Sequence, residues 1–370
     1  SNIFTTPILE PRPPAEIPAS LMGTGYSFFN ENPKTSQQQR WQLNLQRELG
    51  GGWVVEAGYV GNRGTRIEIT RNINALPLSY LSTSPVRDEA TNTFLNGQVA
   101  NPLAGLLPGT SLNNAQVARS QLLRPFPLYG DLNTTTNQGY TWYHSLQASA
   151  QKRFANNYTL LFSYTFSKFM QATEYLNAAD PMPTEVISDA DTPHRFSASG
   201  IYELPFGRGK AFLNNSGPVV SRIVGGWQVQ GIFTYQSGRP ITFNNGANSG
   251  IIFNGNFADL KKDKPTFESW FNTDGFVRAA NQQLISNVRT FPLRFSNLRH
   301  DSLKNVDLSV IKGTAITDTV TLQFRAEALN AFNTPNFGNV DIVQTSATFG
   351  RVTSVYNYAR RIQLGLRLVF

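Results

Sequence analysis

Apolar and polar residues alternate along about nine separate stretches of the chain. The most regular is the last, where Ile362, Leu364, Leu366, Leu368 and Phe370 share one face and Arg361, Gln363, Gly365, Arg367 and Val369 the other. Strict period-two alternation describes a strand with one apolar and one wet side. An aromatic side chain beside the terminal carboxylate suits a soluble core poorly. It suits a strand that leaves a lipid bilayer for water.

The same pattern recurs upstream. Trp41, Leu43 and Leu45 alternate with Gln42, Asn44 and Gln46, and Gly50, Gly51 and Gly52 form a tight turn. Trp53, Val55, Ala57 and Tyr59 return opposite Glu56 and Gly58, and a glutamate there requires a wet face. A third strand is expected over 140–153, with Leu146, Ala148 and Ala150 on its apolar side. A fourth places Tyr158, Leu160, Phe162, Tyr164 and Phe166 on one almost wholly aromatic face, with Leu161 the exception among the polar positions. The fifth and sixth set Phe196, Ala198 and Tyr202 against Arg195, Ser197 and Glu203, and Trp227, Val229, Phe233 and Tyr235 against Gln228, Gln230 and Gln236. The seventh and eighth carry Val306, Leu308 and Val310, then Leu322, Phe324, Ala326 and Ala328, opposite Asp307 and Ser309, then Gln323, Arg325 and Glu327.

Each stretch is about nine to thirteen residues long, enough to cross a bilayer at a tilt. The connections sort by length. Shorter links are expected at 50–52, 155–157, 205–225 and 313–318, and long loops at 62–139, 169–193, 238–303 and 333–357. Segment 62–139 is expected to be mostly irregular, and the Pro- and Gly-rich segment 1–36 to be irregular throughout. Counted from the last strand, every shorter link lies at one end and every long loop at the other. An outer-membrane barrel has this organisation, with short periplasmic turns and long extracellular loops. The fold expected is therefore all-β: an antiparallel, up-and-down transmembrane β-barrel segment of about nine strands, drawn as a curved, partly open sheet or a smaller closed barrel.

Composition agrees. Charged residues are 15% and aromatics 12% of the 370 residues, whereas soluble domains carry roughly 25% charge. No 18-residue apolar run exists for a transmembrane helix. The absence of cysteine excludes disulfides and thiolate metal sites. The net charge of +8 comes from scattered Lys and Arg, without the cluster that nucleic-acid binding requires. The start at Ser1 reads as that of a mature chain or of a piece of a longer one.

Several segments resemble TonB-dependent outer-membrane transporters of the Oar-like kind. They include Glu56-Ala57-Gly58-Tyr59-Val60-Gly61-Asn62-Arg63-Gly64, Thr192-Pro193-His194-Arg195-Phe196, Tyr202-Glu203-Leu204-Pro205-Phe206-Gly207-Arg208-Gly209, Gly226-Trp227-Gln228-Val229-Gln230-Gly231 and Phe324-Arg325-Ala326-Glu327-Ala328-Leu329-Asn330-Ala331-Phe332-Asn333. Gln363, Gly365, Leu368 and Phe370 also resemble the C-terminal signal by which outer-membrane barrels are recognised for assembly. The resemblance implies the bacterial outer membrane and a larger barrel of about 22 strands, of which 37–370 is the C-terminal portion. It implies as partners membrane lipid, the barrel-assembly machinery, the rest of the barrel, a plug, TonB and a ligand captured by the loops. The plug and TonB-contacting segments have no counterpart in this chain. A small ungated porin or a surface adhesin is the alternative, separated by whether plug sequences lie upstream.

The chemistry-bearing residues point away from catalysis. His144, His194 and His300 are dispersed, with His194 and Arg195 expected to fix loop geometry at the outer rim. Asp180, Asp189 and Asp191 lack Ca²⁺-loop spacing and read as a solvated acidic loop. No hydrolase, zinc-protease or phosphate-loop pattern occurs, and no cofactor or metal is expected. Arg195, Glu203, Arg325 and Glu327 are the candidate lumen-facing polar residues, and the contacts expected of them are with one another or with a plug or ligand. Trp41, Trp53, Trp142, Tyr158, Tyr164, Phe166, Trp227 and Tyr235 are expected to form interfacial girdles.

Overall fold

A computed structural model describes residues 22–155, 157–244, 246 and 249–370. The first part of the expected irregular segment 1–36 lies outside the described residues.

Nine strands follow one another in a meander: β1 (Gln37–Leu49), β2 (Trp53–Asn72), β3 (Leu132–Ala155), β4 (Tyr158–Ala172), β5 (His194–Glu203), β6 (Trp227–Gln236), β7 (Leu303–Ala315), β8 (Thr321–Leu329) and β9 (Arg361–Val369). Each pairs antiparallel with its neighbour in the chain, so spatial order equals sequence order. β1 and β9 are the two edges and do not pair with each other, so the wall is open. Turns and links at Gly50–Gly52, 204–226 and 316–320 lie at one end. Loops 73–131, 173–193, 237–302 and 330–360 lie at the other. The turn after β1 depends on glycine, since Gly51 and Gly52 take φ of 73° and 77°.

The registers fix the faces. Leu43, Tyr59, Leu146 and Phe166 form one cross-strand row, and Val229, Val310, Ala326 and Leu364 another. These are the outward, apolar positions. Leu45 is 72% exposed and Leu366 70%, as in a surface that lipid covers rather than water. Gly61 belongs to this face because a Cβ there would meet the Trp41 indole at 2.2 Å, so its absence lets the ring lie across β2. The inward rows are polar, for example Gln46, Glu56, Ser149, Ser163, Ser197, Thr234 and Asn305.

Two features depart from the sequence reading. β2 and β3 run 20 and 24 residues, well into the segment expected to be an irregular loop over 62–139. Beyond Gly64 the pairing crosses two register shifts and continues through Ile69–Thr136, Thr70–Thr135 and Arg71–Thr134. β-branched Thr supports a strand there, but only Ile67 and Ile69 alternate with Arg66 and Glu68, and their partner run Thr134–Thr136 is polar on both faces, so the alternation is too short to mark a strand. A short strand Tyr26–Phe28 then joins β3 in parallel, within the segment expected to be irregular.

The largest buried core is not under the sheet. Ile241, Phe243, Leu260, Phe271, Phe291, Leu298, Val340 and Phe349 belong to one cluster built wholly from loops 237–302 and 330–360. These loops fold into a cap over the long-loop end of the wall.

Candidate functional site

The inward face of the wall is mostly polar, with Leu161, Ile201 and Ile232 exposed among its polar rows. Near its lower end, Glu203 pairs with Lys210 at 3.1 Å, and Lys210 also donates to Asn157 Oδ1 at 3.2 Å. Arg325 and Glu327 lie 3.4 Å apart on β8 and remain partly exposed. The register places Glu203, Gln228, Ile311, Arg325 and Gly365 in one row. Arg195 stands opposite Thr165 and Gln236 at the loop end. At 3.4 Å per residue it is about 27 Å from Glu203, so these two do not meet. A cavity of about 460 Å³ opens on this face between Thr159, Ser199, Gln230, Asp307 and Glu327.

The terminal residues sit on the β9 edge. Gln363 faces Glu327, Gly365 faces Arg325 and Leu368 faces Leu322. Phe370 lies past the end of β9 and is 90% exposed.

Three arginines fasten the cap to loop 173–193. Arg289 donates to the carbonyls of Phe243, Asn244 and Phe291, and its backbone N–H donates to Asn177 Oδ1 at 2.8 Å. Burial pulls its guanidinium down to about 10, against the opposing pull of Glu174. Arg294, with a side chain only 3% exposed, meets Glu174 at 2.5 Å and Thr242 Oγ1 at 2.8 Å. Arg299 meets Asp191 Oδ2 at 2.7 Å and donates to the carbonyls of Asp191 and Gly238. Asp191 is therefore not a solvated loop acid as expected. It is buried, accepting also from the Phe169 N–H, because Arg299 supplies the compensating charge. Asp180 instead accepts from Asn177 in a local turn, and Asp189 is exposed. At the rim the His194 carbonyl accepts from the Ser237 N–H at the start of loop 237–302, while its Nδ1 is 2.8 Å from Tyr164 Oη and its ring stacks on the outward face. Sequence reasoning missed the arginines, which recur every five residues in an otherwise Asn-rich loop. A five-residue spacing matches neither strand nor helix period, so it carries no face signal.

Two cavities flank this clasp. One, of about 600 Å³, lies where the cap meets the rim of β6 and β7 and is lined by Gln236, Arg239, His300, Asp301, Asn336 and Tyr356. His300 Nδ1 is buried there without a hydrogen bond, and burial together with Arg239 holds the imidazole below its usual range. The second, of about 710 Å³, lies among loops 73–131, 173–193 and 237–302, beside Leu76, Tyr175, Asn177, Leu284 and Arg289. Such surfaces suit a polar ligand held by several loops.

An exposed apolar outer face, a polar inner face and loop lengths segregated by end are the marks of a membrane barrel. The family model described as "Outer membrane beta barrel domain" matches residues 1–363. The chain belongs to this family. This outer membrane β-barrel domain accordingly lies in the bacterial outer membrane, with its outward rows against lipid. No curated protein matches its sequence. Among solved structures it is similar to the outer membrane transporter YddB from Escherichia coli, at 11% identity and a TM-score of 0.45, covering 94% of this chain and 34% of that one. It is similar to the FrpB iron transporter from Neisseria meningitidis at 11% identity and a TM-score of 0.41, covering 93% and 33%. FpvA of P. aeruginosa, solved bound to heterologous pyoverdines, gives 11% identity and a TM-score of 0.40, covering 90% and 27%. The domain thus spans about a third of the length of these structures.

Proposed function

We propose that this domain is the C-terminal barrel portion of a TonB-dependent, Oar-like outer-membrane transporter, and that its loop cap makes the first contact with the ligand. The observation that carries the reading is the cap itself. Loops 237–302 and 330–360 fold around their own core, clasped to loop 173–193 by arginines, above the inner face, with cavities at the junction. A barrel that only anchored would need no such assembly. The open edges at β1 and β9 support the reading that further strands complete the wall. In it, Arg195, Glu203, Arg325 and Glu327 line the path below the cap and face a plug or ligand. Gln363, Gly365, Leu368 and Phe370 present the β9 edge to the barrel-assembly machinery. The domain has no catalytic role.

The test uses the full-length gene expressed in cells with and without TonB. Uptake-limited growth that requires TonB and is abolished by deleting 238–303 is expected. Growth independent of TonB would replace active transport by a porin, and surface binding without uptake would replace it by an adhesin.

A further inference from the structure

The outward face of the wall is electrically one-sided. Among the described residues, its positions on the nine strands below the Gly64–Ile67 register shift carry Arg47, Arg63, Lys152, Lys168, Lys304, Lys312, His144 and His194, and no Asp or Glu. The inward face mixes signs, with Glu48, Glu56, Asp307 and Glu327 among Arg40, Arg195 and Arg325. Cations alone on a lipid-facing surface sit at its two ends, where long side chains reach the headgroups.

The two ends treat their cations differently. At the short-turn end, Lys312 lies over the Trp227 ring and donates to the carbonyls of Arg222 and Gly225, which close the helix Pro218–Val224. Lys152 is buried over Tyr158. At the long-loop end, Lys168 is exposed over the Trp142 ring, 5.7 Å from its centroid, with no hydrogen bond or ion pair among the described residues. His144 stands directly opposite Lys168 in the register, and Arg63 directly opposite Trp142. Arg63 and Lys168 therefore flank β3 about 10 Å apart along the strand-pairing direction. Tyr59 Oη holds His144 Nδ1 at 2.6 Å, so only Nε2 remains for an outside partner. Glu185 faces the Tyr140 hydroxyl above this cluster.

We propose that Arg63, His144 and Lys168 form a site for the phosphate of an outer-leaflet lipid headgroup. Trp41, Tyr59 and Trp142 form its apolar floor, where the acyl chains begin. A phosphate between the two cations accepts charge-assisted hydrogen bonds from both, and no strand carboxylate competes for them. The occupant is a lipid because Arg63, His144 and Lys168 stand on the outward face, where Leu45 and Leu146 are exposed and which the outer membrane covers. The inference goes beyond the transporter reading and stands whether or not that reading holds.

The test is native mass spectrometry on the protein extracted from outer membranes in a zwitterionic detergent. It is titrated with phosphatidylglycerol and, separately, with phosphatidylcholine. Preferential binding of phosphatidylglycerol is expected. The Arg63→Ala/Lys168→Ala variant should lose about tenfold in that affinity, Lys168→Arg should retain it, and Lys312→Ala should leave it unchanged. Folding is checked by heat-modifiable gel mobility. If the double variant does not fold, Lys168→Gln is read alone and should still weaken binding. No preference for the anionic lipid, equal binding by the folded variants, an equal loss in Lys312→Ala, or full displacement by inorganic phosphate would each overturn the assignment.

Discussion

The wall and the cap are stabilised by opposite uses of apolar side chains. In the wall, Leu45, Leu364 and Leu366 are exposed and the strands are held by their hydrogen-bonded ladders. Every backbone group must find a partner in the bilayer, so the meander provides the order and lipid covers the side chains. In the cap, Phe243 and Phe271 are fully buried and regular structure is limited to pieces such as Pro240–Thr242 paired with Arg294–Arg299. The cap is a small water-soluble core on a membrane frame. The difference teaches that one chain can satisfy two solvents, provided each region meets its own.

The comparison breaks most directly by emptying the cap. Phe243 contacts Phe271, Phe291 and Phe295 edge-on. Phe243→Ala should cost the cap about 3–5 kcal/mol. Limited proteolysis should then cut within 237–302 while heat-modifiability of the wall is kept. Loss of the wall in the same step would show that the two regions are one cooperative unit. Removing a clasp partner should act similarly. Arg294→Ala removes the charged partner of Glu174, which is partly exposed and keeps the Gln171 amide as a donor, and the protease should now reach loop 173–193 as well, at a cost of about 1.5–3 kcal/mol.

The wall is sharpened by a paired substitution. Val310 faces lipid and Ser309 the lumen. Val310→Arg should cost about 2–4 kcal/mol near the bilayer middle and reduce assembled protein, measured as the heat-modifiable fraction. Ser309→Arg should assemble normally. Equal effects would mean that the two faces are not different solvents.

Asn74 anchors the 73–131 loop from a fully buried position, donating to the carbonyls of Phe126, Tyr129 and Gly130 and accepting from the Phe126 N–H. Asn74→Ala should cost about 1–3 kcal/mol, read as faster amide exchange over 126–130.

The smallest effect expected is pH-dependent. His300 faces Arg239, Asp301, Gln236 and Tyr356, and its folded-state pKa is lowered by burial and by Arg239. Above about pH 6.5 it is neutral in both states and contributes nothing. Below that, the unfolded cap takes up a proton that the folded cap refuses, so stability falls with pH until the folded pKa is passed. Proteolysis of the cap should quicken between neutral pH and pH 5 in the native protein and less so in His300→Gln.

Much of the wall was legible because lipid on one side and water on the other impose period two on every strand. The faces of β4 and β8 follow directly from Tyr158, Phe162 and Phe166, or from Phe324 and Glu327. Of the lumen-facing candidates, period two gave the common face of Arg325 and Glu327 and their contact. It also placed Arg195 and Glu203 on one face, but only the link 204–226 could supply Lys210 as the partner of Glu203. The upper parts of β2 and β3 were not legible, since the alternation of Ile67 and Ile69 is only two residues long and its partner run Thr134, Thr135 and Thr136 is polar on both faces.

The sequence by itself determined the strands, their faces, the segregation of loops by length and the absence of any thiol chemistry, because these follow from local period and composition. Only the tertiary structure decided that the loops carry a core, that Asp191 is buried against Arg299, and that Arg63, His144 and Lys168 share one rim. Those arrangements join residues from separate loops or strands. Their partners are chosen by packing and charge compensation across space, which no periodicity along the chain records.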